Sequence, residues 1–377
     1  MLGTPSVEQR RLKEGQVREI IGPFLGGINP RWTDTDPGGS RHDRMRILYP
    51  VQPAPRQGLT MGLYRQGTHE PIELLSCETQ DPSLTELGQR ALTVFRKRRL
   101  RPYQESEPTK TSGGLLRGFT ARLSATTREV SIGIITTDHA VPLVDEIAAE
   151  LLAAAKGLRQ RDGLPVKTVG VVLNINPKPG NVLLGQHSTI VMGRDWIREV
   201  VDDLEFRISF GSFYQLHRRS AELLYKPAID MLGPVRGLRV IDGYGGIGTF
   251  GLRLARAGAE TVAIVESNPS AAADARINCT LNGHENVRVC QTSFGAAELP
   301  PRPDLLIVDP NRAGLQLSGQ RQIRRLKPRR ILYVACGLRS LGRDLAALTG
   351  FRLTAVHLAD LFPHTDHVET LALLEAR

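Results

Sequence analysis

Cysteine is scarce in this chain. Four residues in 377 (Cys77, Cys279, Cys290 and Cys336) are too few and too scattered for a disulfide framework, and they point to a reducing, cytoplasmic compartment. Long apolar runs are missing as well: no stretch approaches the ~20 residues that span a bilayer. The opening Met1-Leu-Gly-Thr-Pro-Ser-Val-Glu8 lacks the charged-then-apolar order of a secretory leader. There is no internal repeat and no low-complexity tract. A 41% apolar and 23% charged composition excludes wholesale disorder, and the length suggests two or three domains at ~150 residues each.

The charge is biased. Lys and Arg number 49 against 39 Asp and Glu, a formal net charge of +10, and the pI is near 9.7. Such a balance favours polyanionic partners, because Lys and Arg contacts to phosphate release counterions. Most of the basic residues are Arg, which suits bidentate phosphate contacts.

Two styles of sequence follow one another. Between about residues 50 and 205 the pattern is mixed: Arg44–Tyr49, Glu129–Ile135 and Thr168–Asn174 read as short β-branched strands, and Leu143–Leu158 as a helix. From about 206 onward, buried strands alternate with helical segments. Leu238–Asp242, Thr261–Glu266, Asp304–Asp309 and Arg330–Cys336 are near-continuous apolar runs, as strands covered on both faces require. In a doubly wound sheet of this kind the ligand sits beyond the carboxyl ends of the strands. Those ends carry Asp242, Glu266, Asp309 and Cys336.

The first of these strands runs into Asp242-Gly-Tyr-Gly-Gly-Ile-Gly-Thr-Phe-Gly251. Gly246 to Gly251 fits the dinucleotide fingerprint, with Glu266 placed about twenty residues on to hold ribose hydroxyls. A nicotinamide-dependent dehydrogenase is therefore one reading. S-adenosylmethionine fits better, because an acidic residue ahead of the glycines suits a cofactor with an ammonium group and is awkward beside a pyrophosphate. Asp309-Pro-Asn-Arg-Ala-Gly314 is either a plain turn or a segment that sets Asp309 against cofactor or substrate and Arg312 against a phosphate or base. Cys336 is either a small buried hydrophobe or a nucleophile. The second role needs a lowered thiol pKa, for which Arg339, Arg343 or a helix N-terminus are the candidate sources. Phe362-Pro-His-Thr-Asp-His-Val-Glu369 matches no standard metal spacing, so no metal is expected. Glu369 heads the last strand and can reach the same cleft as a general base.

With these residues assembled, the chain resembles the RNA (uracil-5-)-methyltransferase family, whose bacterial members act on 23S rRNA or tRNA. The resemblance runs from about residue 5 to the end. It rests on Phe213-Tyr-Gln215, the Asp242–Gly248 loop, Asp309–Gly314, Tyr333-Val-Ala-Cys336 and Phe362–Glu369. Asn174-Ile-Asn-Pro177 and Asn181-Val-Leu-Leu-Gly185 look like the central domain of the rRNA-directed members. The resemblance implies an α/β fold: a Rossmann-like S-adenosylmethionine-dependent domain over 206–377, preceded by a smaller α+β RNA-binding domain over 46–205 and an N-terminal segment over 1–45. It implies that Gln215, Asp242, Tyr244, Gly246, Gly248, Glu266 and Asp309 bind S-adenosylmethionine. Cys336 becomes the nucleophile, Glu369 the base, and Phe213, Arg312 and His364 substrate contacts.

The departures are specific. His217 and Gly337 each stand where the family usually has Asn. The β-barrel and the cysteine cluster that often open such proteins have no counterpart, except Cys77 in the place of the fourth cluster ligand, and one cysteine cannot hold a 4Fe-4S centre. Either that module was lost or the natural start lies upstream of Met1. The expected partner is RNA, 23S rRNA ahead of tRNA, bound by a monomer with no membrane association. The densest basic stretches, Phe95–Tyr103 and Arg321–Arg330, are either RNA grips or solvated helix faces. Two alternatives stay open: a purine-nitrogen RNA methyltransferase, and a non-catalytic RNA-binding relative that kept the fold.

Overall fold

A computed structural model describes residues 4–33, 41–55, 57–65, 67–104, 114–215 and 217–377. Met1, and with it the expectation about the natural start, lies outside them. The chain divides into two compact units, one of residues 1–40, 201–207 and 212–377, the other of 41–200 and 208–211.

The second unit is built on a six-stranded sheet in the order Gly58–Met61, Arg46–Ala54, Leu116–Leu123, Glu129–Thr136, Lys167–Ile175, His187–Gly193. Helices Pro82–Lys97 and Val144–Ala154 close over it. Their apolar faces, including Leu84, Leu87, Phe95, Ile147 and Leu151, join Ile47, Phe119 and Ile132 of the sheet in one core. Asp81 starts the first helix by accepting a hydrogen bond from the Ser83 backbone N–H at 3.0 Å, followed by Pro at the first helical position. Arg96, Lys97 and Arg98, part of the first basic stretch, are spent inside this unit: Arg96 pairs with Glu73, Lys97 with Glu150 at 2.9 Å, and Arg98 with Glu146 and Glu150 at 2.7 and 2.8 Å. Lys97 and Arg98 thus brace the two helices, and Arg96 ties the first of them to the Leu59 carbonyl of the sheet at 3.0 Å.

The first unit holds an eight-stranded sheet. Its strands are β1 (Arg31–Trp32), β2 (Arg239–Asp242), β3 (Thr261–Glu266), β4 (Val287–Gln291), β5 (Leu305–Val308), β6 (Arg330–Ala335), β7 (Phe351–Ala359) and β8 (Glu369–Ala376), ordered β1-β7-β8-β6-β5-β2-β3-β4. Strands β6, β5, β2, β3 and β4 pair in parallel, whereas β8 runs antiparallel to both β6 and β7. Its helices are α1 (Ser6–Leu25), α2 (Lys226–Leu232), α3 (Thr249–Arg256), α4 (Pro269–Leu281), α5 (Gln316–Leu326) and α6 (Leu338–Ala347). Val17 and Ile21 of α1, Ile323 of α5 and Leu341 of α6 share a core with Ile241, Leu306, Ile331 and Tyr333 on one face of the sheet. On the other face Gly251 of α3 lies so close to Ile264 that a Cβ there would meet it at 2.7 Å. Burial on both faces is why these strands read as continuous apolar runs.

The N-terminal residues, read from sequence as a segment of 1–45, belong to this unit up to residue 40. The buried stripe of α1 is Gln9, Lys13, Val17, Ile21 and Leu25, one residue every turn. Its upper half is polar because it faces a polar loop. Lys13, fully buried, donates to Asp360 Oδ1 at 2.7 Å and to the Phe362 carbonyl at 3.0 Å. Gln9 accepts from the His364 backbone N–H at 2.8 Å, and its amide nitrogen lies 3.2 Å from His364 Nδ1. Helix α1 thus fixes the segment that leads into β8.

Replacing Lys13 by Met leaves Asp360 without its buried counter-charge, and loss of one partner of such a pair costs about 3–5 kcal/mol. Urea denaturation of K13M should show a loss of that size, and the double variant K13M/D360L should recover most of it.

Candidate active site

Strand direction assembles the site. β2, β3, β5 and β6 all point the same way, so Asp242, Glu266, Asp309 and Cys336 emerge along one edge, at or just past their last paired residues. β8 runs the other way, and its first residue therefore arrives at that same edge. Ala335 pairs with Thr370, which sets Glu369 alongside Cys336. Across the sheet the order is Glu369, Cys336, Asp309, Asp242, Glu266, at neighbouring-strand intervals of about 4.8 Å. The strand order reverses at β2, the switch point where ligands of such sheets bind.

Asp242 is completely buried; its Oδ2 accepts from the Gly251 N–H at 2.9 Å, and its Oδ1 has no hydrogen-bond partner. Burial, with the Glu266 charge adding to it, pushes its carboxyl up to about 7. Glu266 holds the glycine turn from the next strand, accepting from the Gly246 N–H at 2.9 Å and the Asn268 N–H at 2.5 Å. The turn needs glycine at Gly246 (φ +55°) and Gly248 (φ +94°), both in the left-handed region. The Tyr244 ring packs on Phe294 with centroids 5.4 Å apart, and its hydroxyl lies against Gly319 of α5. Ser212 donates to Asp274 of α4 at 2.6 Å and lies 3.1 Å from Ser270, which anchors the segment carrying Phe213 and Gln215 beside the start of α4. Phe213 is 61% exposed and Gln215 half-buried. His217 is buried, with Nδ1 accepting from the Arg219 N–H at 3.2 Å.

The other half of the edge is acidic and partly buried. Glu369 is 2% exposed, and burial raises it to about 7 against the pull of Arg312. Asp309 is pushed well above the usual carboxylate range by burial and by the charges of Glu369 and Asp242. The Cys336 thiol is raised to about 11, first by burial, then by Glu369 and Asp309, and only the Arg312 charge among its neighbours lowers it. This corrects the expectation that Arg339 or Arg343 activates the sulfur. Arg343 instead donates to the Ala313 carbonyl at 2.5 Å and lies 3.7 Å from Asp344.

Asp344 was not legible in the sequence. It is fully buried in α6 and accepts from Tyr333 Oη at 2.7 Å, the Leu315 N–H at 2.8 Å and Gln320 at 3.1 Å, tying the Asp309–Gly314 loop to β6 and α5. Gly337 lets that loop lie close: a Cβ at this position would stand 2.9 Å from Ser340 Oγ and 3.3 Å from the Arg312 carbonyl. His364, expected to touch substrate, is engaged by Gln9 through its backbone and ring. The second basic stretch runs toward β6's entry, Arg330, at the edge opposite the site; Arg325 there bonds the Ala297 carbonyl and Arg330 the Leu232 carbonyl. Among the described residues, no group of three or more His, Cys, Asp or Glu side chains is placed to hold a metal ion.

The tRNA (uracil-5-)-methyltransferase family profile matches residues 303–377, the stretch containing Asp309, Cys336 and Glu369. An RNA methyltransferase of Enterococcus faecalis, itself uncharacterized, is 31% identical over 381 residues, covering 98% of this chain and 77% of its own length. The chain belongs to the RNA (uracil-5-)-methyltransferase family. A second RNA methyltransferase, from Lactiplantibacillus plantarum, is 30% identical over 98% of this chain and 79% of its own. The fold is that of the Pyrococcus abyssi tRNA (uracil-54, C5)-methyltransferase solved with S-adenosyl-L-homocysteine, with a TM-score of 0.75 over 97% of this chain and 81% of that one, at 24% identity.

This RNA methyltransferase uses S-adenosylmethionine, and the β2–β3 half of the edge fits that molecule. The orphan Oδ1 of Asp242 supplies a buried negative atom for a cationic ligand. Glu266 stands one strand over, where ribose hydroxyls are held in such folds. The glycine turn between them is cramped: a Cβ at Gly245 would lie 3.0 Å from Asp242 Oδ2.

Burial of an ionised Asp242 opposes folding, because its carboxyl prefers the proton in the folded chain. Asp242→Asn should therefore raise stability, by a gain that grows as pH rises from about 4 to about 7 and reaches at most about 4 kcal/mol. Thermal melts across that range would show it, while calorimetry should show loss of S-adenosylmethionine affinity. A variant destabilised at pH 8 would contradict this account of Asp242.

Proposed function

We propose that this enzyme methylates carbon 5 of a uridine in structured RNA through a covalent adduct between Cys336 and carbon 6. The observation that carries the reading is the pairing of β8 against β6, which sets one carboxylate, Glu369, beside one thiol, Cys336, with only β5 between them and the cofactor half of the edge. Carbon 5 of uracil is a poor nucleophile, and a thiol–carboxylate pair answers that difficulty. Bonding of the Cys336 sulfur to carbon 6 moves the C5–C6 electron pair onto the C4 oxygen, leaving an enolate that is nucleophilic at carbon 5. S-adenosylmethionine, when bound, supplies the methyl group. Glu369 then takes the carbon 5 proton; the C–H pair re-forms the C5–C6 double bond, and the S–C6 pair returns to Cys336.

Each side chain has a physical reason for its place. The Cys336 thiol is protonated at rest and gives up that proton to solvent before attack, which leaves Glu369 free for the carbon 5 proton; Arg312 is the cation that stabilises the thiolate. Glu369, held near 7, suits proton removal at neutral pH. Asp309 and Arg312 ride on one loop fixed by Asp344, so the charges around the sulfur move together. A base in a duplex cannot be approached by sulfur on carbon 6 and by a methyl donor at carbon 5 together, so the uridine leaves its stack. Exposed Phe213 offers an aromatic face for it. We assign the substrate to 23S rRNA ahead of tRNA, on the likeness of Asn174–Pro177 and Asn181–Gly185 to the rRNA-directed members.

The deciding measurement is methyl transfer to unmodified rRNA and tRNA followed by nucleoside mass spectrometry. The product should be 5-methyluridine, and Cys336→Ala should abolish it; a methylated purine insensitive to the cysteine change would overturn the reading. Glu369→Gln should leave an RNA–protein adduct stable in denaturing gels. Because Glu369 must be ionised to accept a proton, kcat should fall about tenfold per unit as pH drops below about 7.

A further inference from the structure

The connection between strands Lys167–Ile175 and His187–Gly193 is longer than its task requires. Adjacent antiparallel strands are commonly joined by about 2–5 residues, yet here eleven residues, 176–186, stand between them. The excess is held in one shape by three buried polar side chains. Asn174, 2% exposed, accepts from the Gly185 N–H at 2.8 Å, and its amide nitrogen lies 3.0, 3.1 and 2.9 Å from the Gly185 carbonyl, the His187 carbonyl and Ser188 Oγ. Asn176, 4% exposed, donates to the Val182 and Leu183 carbonyls at 2.6 and 3.0 Å and accepts from the Lys178 N–H at 3.1 Å. Arg117, also 4% exposed, donates to the Asn176 carbonyl at 2.8 Å, to the Gly180 carbonyl at 2.9 Å and to the Lys178 carbonyl. Gly185 passes against the Ile175 carbonyl so closely that a Cβ there would stand 1.7 Å from the oxygen.

Buried amides and a buried guanidinium are costly unless satisfied. Here they satisfy irregular backbone, so the hydrogen-bond energy goes into the shape of a loop. What the loop shows to solvent is chemically mixed: Pro177 to Val182 are all exposed, among them the cationic Lys178 and the apolar Val182, 73% exposed. Beyond it, His187 to Ile190 of the edge strand are exposed as well, with Ile190 at 49%. No acidic residue occurs from Gly163 to Arg194, whereas Lys167, Lys178 and Arg194 do. A braced, acid-free loop that exposes both a cation and an apolar side chain is suited to a chain that alternates phosphates with flat apolar rings.

We propose that the loop 176–186 is a docking surface for an unpaired stretch of the substrate RNA, with Lys178 against a phosphate and Val182 against a base. The inference rests on the reading of the enzyme as an RNA methyltransferase and adds where, in the unit of residues 41–200, that RNA is held.

The test uses the full chain and a fluorescently labelled rRNA fragment that the wild type methylates, with anisotropy titrations from 50 to 300 mM salt. K178E/V182D should raise Kd about tenfold. K178E alone should reduce the slope of log K against log salt by about 0.7, the share of one phosphate contact on a single strand. Both side chains are exposed, so thermal midpoints should match the wild type, which separates lost contact from lost fold. A double variant that folds and binds the fragment within twofold of the wild type would overturn the proposal. RNA affinity and nucleoside product are separate readouts, so a failure here and a failure of the uridine reading cannot be mistaken for each other.

Discussion

Strand β8 inserts against the direction of its neighbours, and the chemistry of the whole edge follows from that reversal. In an all-parallel sheet, each carboxyl end delivers one side chain and then leaves along a helix. Here the last strand begins where the others finish, so Glu369 reaches Cys336 without a crossover. The same pairing buries Glu369 and sets its charge against Asp309, which Asp242 crowds from the other side. Burial, together with the like charges beside Asp309, raises all three carboxyls, and Glu369 and Asp309 in turn help hold the thiol protonated. Site reactivity is thus set by burial first and like charge second, with Arg312 as the opposing charge on Glu369 and Cys336.

The cost of that edge is offset by packing elsewhere. Both faces of the sheet are covered, and its central strand residues Leu305, Leu306, Ile307 and Val308 are fully buried. Buried polar residues form a second layer of support. Asp344 fixes the loop that carries Asp309 and Arg312, and Lys13 with Gln9 fixes the one that delivers Glu369. None of the three touches the reacting edge, yet two site segments take their shape from them.

Much of this was legible in the sequence, for a definite reason. β2, β3, β5 and β6 read as continuous apolar runs because both of their faces are buried, and their terminal residues named the edge. Helix α1 escaped notice because the buried stripe begins with Gln9 and Lys13, which break the apolar periodicity that reveals helices. The surroundings of Cys336 were not readable either. Sequence proximity suggested Arg339 and Arg343, whereas the cation that acts on the sulfur, Arg312, arrives on a loop from the neighbouring strand. The basic stretch at Phe95–Tyr103 looked like a solvated face or a grip on RNA because Glu73, Glu146 and Glu150 stand far away in the chain. Periodicity reports what is buried; it does not report who neutralises whom.

Helix α1 depends on a partner 347 residues further along the chain, Asp360. Its Lys13 has no counter-ion until Asp360 has emerged, and β1 pairs with β7 at His357 and Leu358. Some 160 residues of another folding unit are synthesised in between. During translation, then, a helix with Val17, Ile21 and Leu25 bare waits while an independent core forms behind it. Chaperone capture of that helix and a slow docking step once β7 has emerged are the natural kinetic signature of such an order of assembly.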